Sequence, residues 1–244
     1  MSTPRNSKVP SQTGLDHSLL IPALPCRAFT FRAFGTDSNA MLPSEYKIDY
    51  DSLLSTAQSE PAINLSLFLQ QQLPLKWRDA YAATIPRPTN IACFRLRTFE
   101  YICDLYSEME ILGEVPFDQT SEDRVIAVLG TSAREEERRD SSRIRRWVGP
   151  TDELLGAYRD KGHFMAHCIG GGLDVNLFSQ ERRLNRGWSP QGKTYRQMET
   201  YCYEQPGTFC FSRPIYVDGS SVPRWLEFGL LKTDQTLWVE TFEN

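Results

Sequence analysis

The chain has few histidines, few lysines and no long apolar run, and each scarcity limits what the protein can be. The longest uncharged apolar stretches, such as residues 19–26, are too short to cross a bilayer. No apolar core of a signal peptide follows the first charged residues. We therefore expect a cytoplasmic protein without a membrane partner, with delivery by a specialised secretion system left open.

Cysteine usage points to the same compartment. The six cysteines include no Cys-x-x-Cys pair, and 244 residues is long for a scaffold held by disulfides. Reduced thiols are the default state in a cytoplasm. We expect the cysteines to be free thiols.

The chain also lacks an excess of positive charge. Its 27 Lys and Arg residues against 31 Asp and Glu residues give a net charge of −4, so any nucleic-acid site must be local. Of these cations 21 are Arg, whose planar guanidinium suits phosphate and carboxylate partners equally well. Hydrophobic residues make up 40% of the chain, which is ordinary for a globular protein with a sizeable core.

Composition divides the chain into three segments. Residues 1–18 are polar and are typical of a flexible arm, and residues 19–110 carry no evident chemistry, with a regulatory or partner-binding role left open. Residues 111–244 contain the chemical motifs. Within the middle segment, the pattern predicts a helix over 64–73 that Pro74 ends.

Short apolar runs predict most of the remaining elements. The spacing in residues 91–106 leaves strand and helix open. Farther along, apolar runs predict strands at 125–129, 143–148, 209–211, 214–217, 225–231 and 237–240. Turns are predicted at Asp218-Gly and Asp234-Gln. Strands on both sides of a short helical region indicate an α+β fold.

Two of the three histidines, His163 and His167, lie within five residues of each other. Asp160-Lys-Gly-His163 places an acid, a cation and an imidazole together, and the glycine allows close approach of the backbone to a ligand. The three glycines at 170–172 predict a turn that folds this segment back.

A basic cluster follows the histidines. The segment from residue 182 to residue 196 carries a formal charge of +5 and no acid, from Arg182, Arg183, Arg186, Lys193 and Arg196. Such a charge density beside an imidazole is what a phosphodiester substrate needs, namely cations for the phosphates and a base for water. Arg146 is a further candidate for phosphate contact. A solvated, salt-bridged surface remains the alternative for these charges.

Four motifs in this order resemble the DNA/RNA non-specific endonucleases of the ββα-metal superfamily, in their bacterial toxin branch. They are Asp160-Lys-Gly-His163, Asn176-Leu-Phe-Ser-Gln180, Leu184-Asn-Arg-Gly187 and Met198-Glu199. The resemblance covers about residues 120–244. It implies a ββα-metal endonuclease domain with an antiparallel sheet over the third segment.

The resemblance also implies roles for single residues. His163 would be the general base, and Asn185 would be the protein ligand of one hydrated divalent cation, Mg²⁺ with Mn²⁺ left open. Glu199 would hold a water of that ion. Lys161 stands where the family usually has Arg, which keeps the charge at the scissile phosphate but loses the bidentate fork. Ser179 stands where the family usually has Pro.

Three further residues are expected to support the site rather than to react. Asp160, Asn176 and His167 would act through hydrogen bonds to the catalytic groups or to the backbone around them. For Asn176 a cap on a turn is the favoured interpretation. A rival zinc site is left open, since zinc accepts nitrogen and sulfur ligands, from His163, His167, Cys168, Cys202 and Cys210.

The spacing of Asn185 and Glu199 constrains the geometry. On one continuous helix the two residues would lie about 21 Å apart and could not serve one ion. Pro190 and Gly192 make a continuous helix unfavourable. We expect a short turn at Asn185, a loop over 187–193 and a helix from about residue 194 that brings Glu199 back.

The sequence therefore predicts a metal-dependent endonuclease that hydrolyses DNA, with RNA left open as a substrate and with low sequence preference. A toxin or an antiviral defence effector are the two contexts considered. The acidic residues 1–120 suggest restraint of the site or an inhibitory or activating protein partner. A binding or regulatory protein on a weakened nuclease scaffold is the alternative. The oligomeric state is left open.

Overall fold

Two antiparallel sheets organise the chain in the computed structural model, which describes residues 42–59, 63–117, 121–135, 158–173 and 175–244. The strands are β1 (Ile91–Leu96), β2 (Phe99–Asp104), β3 (Arg124–Thr131), β4 (Arg159–His163), β5 (Leu177–Glu181), β6 (Phe209–Ile215), β7 (Trp225–Leu231) and β8 (Leu237–Glu243). The large sheet has the order β1-β2-β3-β6-β7-β8, and β4 and β5 form a separate two-stranded ribbon. This is an α+β fold, as the sequence predicted.

Helices pack on both faces of the large sheet. They are α1 (Tyr50–Gln58), α2 (Leu65–Thr84), α3 (Tyr106–Ile111), α4 (Arg182–Asn185) and α5 (Pro190–Glu204). Because Ser212 pairs with Phe228, Phe211 and Phe228 point to opposite faces. The Trp77 ring of α2 lies 4.9 Å from the ring of Phe211, and Tyr195 of α5 meets Phe228 edge-on at 5.5 Å. Within the described residues no helix is long and apolar enough to span a membrane.

The strands predicted within the described residues are confirmed with one change. Residues 125–129 lie in β3, 225–231 form β7, and 237–240 begin β8. The two strands predicted at 209–211 and 214–217 are one strand, β6, which ends at Ile215. Pro214 is tolerated there because β3 pairs with β6 only as far as Ser212, so no ladder bond from the Pro214 nitrogen is required on that side. The predicted strand at 143–148 lies outside the described residues.

The prediction that Pro74 ends a helix is wrong, because α2 continues through Pro74 to Thr84. Three side chains of this helix, Leu69, Leu73 and Trp77, are fully buried. Burial of each contributes roughly 1.5–3 kcal/mol, which together exceeds the cost of about 3 kcal/mol for a proline in a helix interior. Asn64 begins the helix as predicted, with its side chain accepting a hydrogen bond from the Leu67 amide at 3.0 Å.

The stretch for which the sequence left helix and strand open is a hairpin followed by α3. Strands β1 and β2 turn at Arg97, which has a φ of 57°. Strand β2 then pairs with β3 from Phe99↔Gly130 to Asp104↔Arg124. The boundary predicted between residues 110 and 111 therefore falls between two hydrogen-bonded neighbours of one sheet.

A buried polar network fixes α1 and α2 to the sheet. The Arg213 guanidinium donates to the Glu227 carboxylate at 2.6 Å, and the Tyr50 hydroxyl donates to the same oxygen at 2.8 Å. Arg213 also donates to the carbonyl of Tyr46 at 2.6 Å. Arg213 lies on the same face of β6 as Phe211, which α2 covers, whereas α5 packs against Phe228 on the other face.

Candidate active site

The segment with the four motifs folds as two antiparallel strands followed by two helices. In the ribbon, Asp160 pairs with Gln180 and Gly162 pairs with Phe178. Side chains alternate along a strand, so Lys161 and His163 lie on one face of the ribbon and Asp160 on the other. Helix α4 follows β5 directly, and α5 follows after four residues.

Gly162 is required by the packing of the ribbon. A Cβ at this position would overlap the Gln180 side chain, which crosses directly over the glycine. The glycine between Lys161 and His163 thus allows β4 and the Gln180 side chain to approach closely.

The connection between β4 and β5 is organised by Asn176, which is fully buried. Its amide oxygen accepts a hydrogen bond from the Met165 amide at 2.9 Å, and its nitrogen donates to the carbonyls of Met165 and Gly172, each at 2.7 Å. Gly170 turns the chain with a φ of 95°, as expected for the glycine run. Buried His167 approaches the Gly171 carbonyl through Nδ1 at 3.3 Å. Asn176 and His167 therefore both contact the backbone of the connection between β4 and β5.

Three side chains in and just after α4 donate hydrogen bonds to the carboxylate of Asp160. Arg182 Nε donates to Oδ1 at 3.0 Å, and Arg186 donates through Nε to Oδ2 at 2.6 Å and through Nη2 to Oδ1 at 3.0 Å. Asn185 Nδ2 donates to Oδ2 at 3.2 Å. Burial raises the pKa of Asp160, but the hydrogen bonds from Arg186, Asn185 and Arg182 outweigh it, so the pKa lies below its ordinary value.

The arginines of the basic cluster therefore fall into two groups, those that pair with Asp160 and those that do not. Arg182 and Arg186, predicted to contact phosphate, hold Asp160, although the Arg186 side chain remains 44% exposed. Arg183 and Arg196 are exposed, and Arg196 Nη2 donates to the Asn185 carbonyl at 3.3 Å. Arg146 lies outside the described residues.

The predicted short turn at Asn185 is confirmed as α4, which ends there. The predicted loop over 187–193 and helix start near residue 194 are wrong, because α5 begins at Pro190. Proline favours the first position of a helix, where its missing N–H has no role and its fixed φ is helical. The Ser189 side chain caps this helix by accepting a hydrogen bond from the Gly192 amide at 3.0 Å.

Two glycines bring α4 and α5 together. Gly187 has a φ of 70°, which reverses the chain after α4. At Gly192 a Cβ would lie 2.5 Å from the Arg183 carbonyl oxygen and 2.9 Å from that of Leu184. The glycine thus allows the first turn of α5 to contact the backbone of α4.

Sequence reasoning missed Tyr195, which connects α5 to the strand that carries His163. Its hydroxyl donates to the His163 carbonyl at 3.3 Å, and its ring is buried against Phe228 and Phe242. Burial, and next the charge of Glu199, raise the pKa of Tyr195 well above its ordinary value. The available signal was the four-residue spacing from Glu199, which places both side chains on one face of the helix.

The arrangement does not fit the zinc alternative. Among the described residues, which include all five of its candidate ligands, no group of three His, Cys, Asp or Glu side chains could hold a metal ion. Cys202 and Cys210 are buried in the core. Hydrogen bonding to Cys202 and burial raise the pKa of the Cys210 thiol, which disfavours the thiolate that zinc requires.

One side-chain oxygen, Oδ1 of Asn185, is oriented in a way that a hydrated divalent cation could use. Because only the NH₂ of an amide can donate to a carboxylate, the bond to Asp160 orients Asn185 with Oδ1 directed away from that carboxylate. An amide oxygen with an orienting carboxylate behind it is a suitable ligand for a hard cation that keeps most of its waters. The Asp160 carboxylate itself accepts hydrogen bonds from the guanidinium groups of Arg182 and Arg186.

Asn244 ties the ribbon to the large sheet. Its side chain accepts a hydrogen bond from the Glu181 amide at 2.9 Å and donates to the carbonyls of Ser179 at 3.1 Å and Pro223 at 2.7 Å. The ribbon thus has a fixed position beside β7 and β8.

Comparison with known proteins yields distant structural likenesses. No protein-family model and no curated protein matches the chain. Among solved structures, the chain is similar to the Sda1 nuclease with bound zinc ion, with 14% identity and a TM-score of 0.33 over 64% of this chain and 74% of that chain. A likeness at this level does not establish family or activity.

Proposed function

We propose that the chain is a metal-dependent endonuclease that hydrolyses phosphodiester bonds of DNA, with RNA as a second candidate substrate. The observation that carries this proposal is the bond from Asn185, at the end of α4, to Asp160 on β4, the strand that ends at His163. This bond directs the Asn185 amide oxygen away from the Asp160 carboxylate, in the segment that also contains His163 and Glu199.

Each residue has a distinct part in the proposed reaction. His163 accepts a proton from the water that attacks phosphorus in line with the leaving oxygen. Asn185 would hold the divalent cation through Oδ1, and Glu199 would hold one of its waters. When bound, the cation supplies positive charge to the phosphate and to the leaving oxygen. Lys161 neutralises the scissile phosphate from the same ribbon face as His163.

The remaining cationic side chains would contact the phosphates of the substrate. Arg183 and Arg196 are exposed at α4 and α5, and the Arg186 side chain is 44% exposed, so a phosphate in solution can reach these three guanidinium groups. Contacts to phosphate position nucleic acid but carry no sequence information. We therefore expect low sequence preference. Mg²⁺ is the proposed cofactor, with Mn²⁺ as a substitute, and a toxin or a defence effector are the proposed contexts.

One observation favours a second candidate, a binding or regulatory protein on a weakened nuclease scaffold. Asp160 neutralises part of the positive charge of Arg182 and Arg186, and Lys161 lacks the bidentate geometry of arginine. In this case residues 19–110 would contact a protein partner and the site would turn over slowly or not at all.

A plasmid-nicking assay separates the two functions. We expect the wild type to nick supercoiled DNA with Mg²⁺ and not with EDTA. His163→Ala should reduce the rate about 10²–10⁴-fold, the usual contribution of a general base. The control is Arg95→Ala, which removes an exposed cation from the edge strand β1 and should leave the rate unchanged. Absence of Mg²⁺-dependent nicking by a folded wild type would overturn the proposal.

A further inference from the structure

Trp188, three residues after the candidate metal ligand Asn185, is 60% exposed. Its position is fixed by the backbone: its amide donates to the Arg183 carbonyl at 2.8 Å, and the preceding Gly187 is left-handed. The following Ser189 caps α5. An exposed indole on a backbone held in this way is a surface that a planar ligand can cover.

The indole is connected to the site by two contacts. The Arg186 guanidinium carbon lies 4.9 Å from the Trp188 ring centroid, and the same guanidinium bonds Asp160. Asp160 in turn accepts the hydrogen bond from Asn185. One guanidinium and one carboxylate thus separate the ring from the amide that would hold the metal.

Exposed cations flank Trp188 in the sequence, and a second exposed aromatic residue adjoins the start of α4. Arg183 and Lys193 are exposed on either side of Trp188 in the sequence. Tyr158 is 78% exposed, and its carbonyl accepts a hydrogen bond from the Arg182 amide at 2.8 Å, so it adjoins the start of α4. Aromatic rings interleaved with cations are typical of surfaces that stack bases and bind phosphates of single strands.

We propose that Trp188 stacks on a nucleobase adjacent to the scissile phosphate and that the preferred substrate is single-stranded nucleic acid. In a duplex the base faces are covered by their neighbours, so an indole reaches a base face only in a single strand or where a base is unstacked. A base on Trp188 places its phosphate beside Arg186 and Asn185. This inference rests on the proposed function for its link to cleavage, but base stacking is measurable without cleavage.

Fluorescence anisotropy with EDTA tests the stacking directly. The probes are a labelled thymidine oligonucleotide and a labelled duplex of the same length. We expect Trp188→Ala to weaken binding of the single strand about 5- to 100-fold, the usual loss for one stacked base, and binding of the duplex less than twofold. Trp188→Phe, which keeps an aromatic face, should retain most of the binding.

The matched control is Tyr203→Ala. Tyr203 is also an exposed aromatic residue with an arginine over its ring, Arg134 at 5.2 Å, but it lies near the C-terminal end of α5. We expect no change in binding. Unchanged binding of the single strand by Trp188→Ala, or equal losses for single strand and duplex, would overturn the inference.

The binding assay and the cleavage assay test the two proposals separately, so that either proposal can fail alone. Loss of single-strand affinity in Trp188→Ala without any Mg²⁺-dependent cleavage by the wild type would support stacking and overturn the nuclease. Cleavage of duplex and single strand at equal rates by both proteins would support the nuclease and overturn the inference. Absence of both binding and cleavage in the wild type would overturn both.

Discussion

Among single residues, Asp160 makes four hydrogen bonds to three side chains of the turn that carries the candidate metal ligand. Its carboxylate cannot act as a base while two guanidinium groups surround it. It instead fixes the direction of the Asn185 amide and the positions of Arg182 and Arg186. A carboxylate that orients a metal ligand typically affects activity 10- to 100-fold when it is removed.

Asp160→Asn tests this role. We expect a loss of about 1.5–3 kcal/mol in the free energy of unfolding at pH 7, the range for hydrogen bonds to charged groups. Because the folded pKa is depressed, the carboxylate stabilises the fold above its unfolded pKa of about 3.9 and ceases to do so as the pH falls through the folded value. Urea denaturation of both proteins from pH 7 to pH 2.5 should show the difference shrinking below about pH 4.

The control for this variant is Asp234→Asn. The pKa of Asp234 is also lowered, by hydrogen bonds from Thr236, but Asp234 is exposed in the turn before β8. Nicking should fall at least tenfold in Asp160→Asn and stay unchanged in the control. A difference in stability that is independent of pH would contradict an ionised Asp160.

At the scale of elements, the contact of α4 with α5 sets the distance between Asn185 and Glu199. A straight helix would place these residues about 21 Å apart, whereas the turn at Gly187 folds α5 back over α4. The close approach at Gly192 makes this contact possible. Tyr195 then connects α5 to the end of β4.

Gly192→Ala tests the importance of this contact. Alanine is favoured over glycine in a helix by about 1 kcal/mol, yet the new Cβ would lie 2.5 Å from a backbone oxygen of α4 that cannot easily move. We expect a net loss of about 1–3 kcal/mol in the free energy of unfolding, typical of overpacking, together with slower nicking. Chemical denaturation and the plasmid assay measure the two effects.

Gly207→Ala is the control at the other end of α5. Gly207 has a φ of 93° and open space around its Cβ position, so alanine costs about 1–2 kcal/mol through backbone strain alone. Nicking should be unchanged. A stabilised Gly192→Ala with normal nicking would show that α4 and α5 can separate without consequence.

At the scale of the whole molecule, one sheet joins the two halves of the chain. Strand β2 pairs with β3, and β3 pairs with β6, while α2 covers the face opposite α5. Asn244 ties the ribbon to this sheet. The role of residues 19–110 as a regulatory or partner-binding region stays a prediction, but their strands are also part of the framework that supports the site.

A truncated chain of residues 110–244 tests this dependence. It lacks β1, β2 and the helix that covers Phe211, so β3 would expose its unpaired edge and part of the core would meet water. We expect no cooperative thermal transition by circular dichroism, whereas residues 42–244 should unfold cooperatively. A cooperative transition in residues 110–244, with nicking faster than that of the full chain, would instead support autoinhibition by the first half.

The sequence by itself determined the elements whose signals are local. Continuous apolar runs predicted β3 and β7, the glycine run predicted the turn at Gly170, and the spacing of Asn185 and Glu199 predicted a short turn at Asn185. These features depend on neighbours a few residues apart, where backbone sterics and side-chain periodicity decide the conformation. The same locality led to an error at Pro190, because proline both interrupts and begins helices.

Only the tertiary structure decided the features that depend on distant contacts. Burial of three α2 side chains outweighs the cost of Pro74 in the helix interior. Asp160 accepts hydrogen bonds from two arginines that lie 22 and 26 residues away. Whether an arginine faces phosphate or carboxylate depends on which groups packing brings within about 3 Å, and composition does not contain that distance. The exposure of Trp188 is of the same kind, since an indole is buried or exposed according to how α4 and α5 meet.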